Sequence, residues 1–457
     1  MLLGKTMKLN YTNALISTLF SFAATATTVS AAEQFQATLV SHVIIAGDTK
    51  IQVPADAPND LRVNGKFHEK HRIEELGAIE GKSNGRPTGV KFPFEGQAIQ
   101  GHSGIVNNGD GTFWLLTDNG LGNKLNSSDS ALYFNLYKID FDKGEWEHLE
   151  TVFLKDPNKK VPFRITHEDT ESRYLTGEDF DPESLQVVGD NFWIGEEFGP
   201  FLIKLDRQGN VIDIFETEVD GKIVKSPDYP GMVLPGSPDG VIPEFQVRRS
   251  KGFEGMASSK DGKTLYPLLE GVLWDSEKKA FEEVDGKPVL RILEFALGDD
   301  KYTGKSWFYP LEDAKHSIGD FNMIDARYGL IIERDDTEGT ADKACKDGED
   351  VSRCFDNVAN FKRVYKIELN PEQQMIRKVG YIDLMDIQDP HKQSKVDLID
   401  GKFQFPFFTI ENVDVVEDRY IVVANDNNYP KSSSRKPNVA DDNELILLDV
   451  QALLEAK

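Results

Sequence analysis

The sequence predicts an all-β protein: a β-propeller of five or six four-stranded blades, its ring closed by an N-terminal strand. Three observations predict it. Short apolar strands recur in a degenerate repeat, Gly, Asp and Asn punctuate the turns between them, and acids fall at matching places in each repeat. Strands this short, rich in Val, Ile, Phe, Trp and Tyr, form antiparallel meanders. Meanders repeated around an axis are blades.

At the N-terminus, Lys5 and Lys8 precede an apolar, small-residue run from Ala14 to Ala31 that contains no acid. A basic start, a short apolar stretch and small residues before Ala32 make a secretory signal. The expected arrangement is a signal over residues 1–31 and a single domain over 32–457, periplasmic or secreted. No later stretch has the length and apolarity of a membrane span. The chain carries a net charge of −25, which becomes −27 once the segment with Lys5 and Lys8 is removed. Such a surface repels nucleic acid and anionic membranes. Cys345 and Cys354 are the two cysteines, and in an oxidising compartment they are expected to clip their own loop as a disulfide.

The repeat is clearest from Glu183, as ESLQVV, NFWIGEEFG, FLIKLD and NVIDIFE. Related units begin at Gly101 (GHSGIV, TFWLLTDNG), Phe253 (FEGMAS, TLYPLLEG), Gly319 (GDFNMID, YGLIIERD) and Glu411 (ENVDVVED, RYIVVANDN). Five units are legible, and the weakly patterned stretch from Phe35 to Phe94 is the candidate sixth. The last unit lacks a fourth strand after Val450, which ATLVSHVII (Ala37–Ile45) is expected to supply. Long insertions at 155–177, 226–249 and 335–360 are placed on the binding face.

In a four-stranded meander the start of the first strand and the end of the second lie on one face. The acids occur at those two places. Strand starts carry Asp181 with Glu183, Glu254, Asp320, and Glu411 with Asp414, and blade 1 has His102 there. Second-strand ends carry Asp118, Glu196 with Glu197, Glu270, Glu333 with Asp335, and Asp426. Crowded carboxylates repel one another unless a hard cation neutralises them, and an oxygen-only donor set favours Ca²⁺ over Zn²⁺. Asp and Asn also close β-turns without ligating anything; glutamate is a poor turn residue, so Glu183, Glu254 and Glu411 lead the candidate metal ligands, with Asp181, Asp118, Asp320 and Asp426 beside them. Lys251 and Arg334 are the nearby cations suited to a phosphate or carboxylate, although Arg334 is equally suited to pairing with its acidic neighbours. His68 and His71 read as a charged surface segment, and Ser103 lacks the strand-to-helix turn of a nucleophile elbow.

The combination of QGHSGI, LTDNG, FDPESL, FWIGEEFGPFLIKLD, GFEGMA, YPLLEG, IERD, FKRVYKIEL and ENVDVV with ANDNN resembles the bacterial phytase-like family described by its esterase-like activity. The resemblance runs from about Ala37 to the C-terminus. It implies a propeller fold and hydrolysis of phosphate esters outside the cytoplasm. The D-A-x-D-D-P-A run of calcium-dependent propeller phytases does not occur here. The expected function is a Ca²⁺-dependent phosphoesterase acting on a small-molecule phosphate ester, with Glu196 or Glu197 as acid or base and Arg334 or Lys251 clamping the phosphate. The alternatives are a metal-dependent propeller lactonase or carboxylesterase acting on another ester, and a non-catalytic, calcium-stabilised binding propeller.

Overall fold

The computed structural model describes residues 32–457; the expected secretory signal lies outside the described residues. Blade 1 is hydrogen-bonded in the order His102–Asn107, Thr112–Thr117, Tyr133–Asp140, Glu145–Phe153. Blade 2 follows with Pro182–Val188, Asn191–Glu196, Phe201–Leu205 and Val211–Glu216. Blade 3 comprises Phe253–Ser258, Thr264–Leu269, Lys287–Ala296 and Lys301–Pro310. Blade 4 comprises Ser317–Met323, Tyr328–Arg334, Lys362–Glu368 and Arg377–Gln388.

Blade 5 has three strands of its own, Thr409–Val416, Tyr420–Asp426 and Asn443–Asp449. Its fourth neighbour is Glu33–Ile45, antiparallel to the third, with Thr38 opposite Asp449 and Ile45 opposite Asn443. The same segment runs parallel to the last strand of blade 4, Glu33 opposite Gly380. Blades 4 and 5 thereby share one eight-stranded sheet.

The first strands pack side by side from blade 1 to blade 5, and that of blade 5 packs against that of blade 1. The count is therefore five blades. The candidate sixth is not a blade: beyond Ile45 its pairings are two-stranded ribbons such as Phe67–His68 with His71–Arg72 and Ile79–Ser83 with Arg86–Phe92. That stretch is too charged, and its apolar runs too short, to cover both faces of a sheet.

Both faces of each blade are covered by neighbours, which is why the strands read as apolar runs rather than strict alternations. Phe134 of blade 1 meets Phe192 of blade 2 at 4.5 Å between ring centroids. Phe215 of blade 2 meets Phe295 of blade 3 at 5.1 Å. Cys345 and Cys354 are disulfide-bonded within the 335–360 insertion. Among the described residues no helix is long and apolar enough to cross a membrane.

Candidate metal centre

All five first strands break register at the same place, where they leave the acid-bearing face. The ladder slips between His102 and Ile105, Pro182 and Ser184, Phe253 and Gly255, Ile318 and Phe321, and Ile410 and Asn412. A bulge leaves a residue outside the pairing and re-aims its side chain. In blades 2, 3 and 5 that residue is Glu183, Glu254 and Glu411.

One carboxylate oxygen from each of these three glutamates lies within 4.8 Å of the other two. Asp181, Glu183 and Glu197 form a second group on the same criterion, and Glu197, Glu254 and Glu270 a third. The groups share Glu183, Glu197 and Glu254 as corners, so they are one continuous surface of oxygens. All six residues are buried. The close approach of blades 2 and 3 needs Gly252, where a Cβ would stand 2.5 Å from the Glu197 Cα.

Blades 1 and 4 complete the ring differently. Ser103 lies in the blade 1 bulge, and its Oγ donates to Glu411 Oε2 at 3.2 Å. Blade 4 has Gly319 at its bulge, where a Cβ would meet the Ile410 carbonyl oxygen at 2.2 Å. Arg334 fills this side: Nη2 donates to Glu411 Oε1 at 3.0 Å and Nη1 to Asp336 Oδ1 at 2.7 Å. Lys251 donates to Glu270 Oε2 at 2.6 Å. Two cations thus face a larger set of carboxylates.

Burial pushes Glu183 well above the usual carboxylate range, and Asp181, Glu254 and Glu197 add to it. Glu254 and Glu197 are raised by burial and by their acidic neighbours in the same way. Burial also raises Glu411, but Arg334 opposes the rise. Against the downward push of burial, Glu270 and Glu197 hold Lys251 above its ordinary value. The cluster is short of positive charge.

The other expected residues separate into flanking and structural groups. Asp118 flanks the cluster, packed against Gly101 and accepting from Gln100 Nε2 at 2.9 Å and the Gly120 N–H at 2.6 Å. Burial, followed by Asp181, pushes it up to about 8. Asp426 accepts from Asn428 N–H at 2.6 Å and Thr409 Oγ1 at 3.1 Å, and burial followed by Glu411 raises it.

Glu196 stands apart from its neighbour Glu197. Its oxygens accept the N–H groups of Phe198, Gly199 and Phe201 at 2.7–2.8 Å, which ties up the turn that presents Glu197. Asp320 likewise accepts from the Phe321 and Val413 N–H groups, stitching blade 4 to blade 5. Glu196, expected as an acid or base, and Asp320, expected as a ligand, thus hold backbone N–H groups with their oxygens, and burial pushes Glu196 up to about 7. Glu333 bonds Tyr309, His316 and Lys378 instead of facing the cluster. Glu270 is the ligand candidate to add to the leading set; its place at a second-strand end was the available signal.

The donor set suits a hard divalent cation: it is carboxylate throughout, with no thiolate or imidazole. One of its oxygens, Glu197 Oε1, is buried without a hydrogen-bond partner.

The chain is similar to an uncharacterized secreted protein of Arthroderma benhamiae, 33% identical over 101 residues, 20% of each chain. It spans about a fifth of the length of that curated relative. Among solved structures it is similar to the periplasmic gluconolactonase of Pseudomonas aeruginosa, at 12% identity and TM-score 0.32, over 85% of this chain and 98% of that one. It is also similar to the calcium-binding protein regucalcin of Agrobacterium tumefaciens, at 12% identity and TM-score 0.31, over 76% of this chain and 90% of that one. Neither structural likeness carries over any site chemistry. A family model described as phytase-like, esterase-like activity of phytase, matches residues 97–429, a span that contains every carboxylate of the cluster, and the chain belongs to that family.

Proposed function

We propose that this protein is an exported, Ca²⁺-dependent phosphoesterase acting on a small-molecule phosphate ester at the centre of the propeller. The observation that carries the reading is the set of three carboxylate groups sharing Glu183, Glu197 and Glu254 as corners. Glu183, Glu254 and Glu411 would be the principal ligands, supported by Asp181, Glu197 and Glu270, with Asp118 and Asp426 at the flanks. A bound Ca²⁺ supplies the positive charge that lets so acidic a site accept a phosphate ester.

The chain's own residues do the rest. Lys251 and Arg334 orient the phosphate oxygens, Arg334 through its planar guanidinium. Glu197, with one buried oxygen free of hydrogen bonds, takes a proton from the attacking water. The water oxygen bonds to phosphorus, the ester P–O bond breaks, and Glu197 returns the proton it took to the leaving alkoxide, so that an alcohol departs and the water's other proton stays on the phosphate. Export is supported by the apolar run before Ala32 and by the secreted relative.

Hydrolysis of p-nitrophenyl phosphate is expected to disappear in excess chelator and to return with Ca²⁺. Full activity in chelator would sink the metal-dependent reading. Hydrolysis of lactones or acyl esters, with phosphate esters untouched, would move the protein to the lactonase or carboxylesterase class.

A further inference from the structure

The segment joining blade 2 to blade 3 exposes apolar side chains that nothing in the fold covers. Val233 and Leu234 are 72% and 75% exposed, and Val241 and Ile242 are 89% and 67% exposed. No residue between Ser226 and Val247 is buried. Contiguous exposed apolar surface on a soluble chain marks a binding surface, whereas scattered exposed apolar residues are ordinary.

The segment is rooted at the edge of the acidic centre. Ser226 N–H donates to the Gly199 carbonyl at 3.0 Å, and Ser226 Oγ donates to the Phe198 carbonyl, two and one residues beyond Glu197. At the other root, Val247 packs beside Gly271, the residue after Glu270. Gly271 N–H in turn donates to the Lys251 carbonyl at 3.0 Å. Both feet therefore stand next to residues of the carboxylate cluster.

We infer that this arch is the apolar subsite of the same active centre, and that the substrate is an ester whose anionic group enters the carboxylate cluster while an alkyl or aryl group lies along Val233, Leu234, Val241 and Ile242. This inference rests on the proposed phosphoesterase reading for the anionic end. The chain's strong negative charge disfavours an anionic membrane as the occupant, and continuity with the charged site favours a single two-ended ligand.

The test uses non-hydrolysable probes, butylphosphonate and octylphosphonate, titrated into the full chain in Ca²⁺ and followed by calorimetry. Octylphosphonate is expected to bind at least about tenfold more tightly than butylphosphonate, from burial of the added methylenes. In the double variant Val241→Asp, Ile242→Asp that advantage is expected to vanish; both positions are exposed, so folding is retained. In Val241→Leu the advantage is expected to persist.

Equal affinity for the two probes in the unsubstituted protein, or an advantage that survives the double variant, overturns the inference. So does failure of both probes to bind. Sedimentation of the protein with phosphatidylcholine vesicles, abolished by the double variant, overturns it in favour of a membrane-attachment loop. A chain-length advantage in a protein that does not hydrolyse p-nitrophenyl phosphate leaves the subsite standing and removes the phosphoesterase reading.

Discussion

Glu254 belongs to two of the three carboxylate groups, so its charge is opposed from several directions when no cation is present. Removing that charge has opposite consequences in the two states. In chelator, Glu254→Gln is expected to stabilise the protein by about 1–2 kcal/mol, because a buried like-charge repulsion is lost. In Ca²⁺ the same substitution is expected to lower thermal stability relative to the unsubstituted chain, because a ligand is lost. Thermal unfolding in the two buffers measures both, and a variant less stable in each would contradict the cation site. Glutamate was informative in the sequence because it rarely serves in turns. Asp118, Asp320 and Asp426 were ambiguous for the same reason, and it is their acidic neighbours that separate them: Asp181 acts on Asp118 and Glu411 on Asp426, whereas Asp414 acts on Asp320.

The bulged first strands turn a sequence repeat into a site. Strand starts were visible as ESL, FEG and ENV, but a bulge is a property of pairing register, and register with a partner strand is not written in either strand alone. That is why Glu333, expected on the acid-bearing face, bonds Tyr309, His316 and Lys378 while its neighbour Arg334 meets Glu411. Adjacent strand residues point to opposite faces, so a one-residue slip decides which of them meets Glu411. The approach between blades has its own test at Gly252. A Cβ there would clash with the Glu197 backbone, so Gly252→Ala is expected to cost about 1–3 kcal/mol by overpacking. It is also expected to lower kcat more than Gly298→Ala, whose added Cβ meets nothing within 4 Å. Equal effects at the two glycines would contradict a positioning role for Gly252.

Across the whole molecule, the two ends of the described chain meet in one sheet. Glu444 on the last strand accepts from His42 Nε2 at 2.9 Å on the Glu33–Ile45 strand and from Arg435 Nε at 3.0 Å. Burial alone would raise the Glu444 carboxyl, but Arg435 and His42 hold it at about 2, below its ordinary 4.5. A depressed folded-state value means that Glu444 contributes stability above about pH 4.5 and loses it as the pH falls through about 2. The contribution is about 3 kcal/mol by linkage. Unfolding followed from pH 7 to pH 2 is expected to show Glu444→Gln less stable at neutral pH, with the difference closing across that window. A constant difference would contradict the account.

The apolar run Ala37–Ile45 and the missing fourth strand after Val450 were both legible in the sequence, and in the structure residues 38–45 pair with Asn443–Asp449. The residues from 46 to 94 were not legible, because ribbons of two to seven residues leave no periodic trace.

The central claim is that the clustered carboxylates are a divalent-cation site. Calorimetric titration of Ca²⁺ into metal-stripped protein tests it most directly. Saturable binding that is lost or severely weakened in Glu183→Gln is the predicted result. An absence of binding, or binding unchanged in that variant, would contradict it.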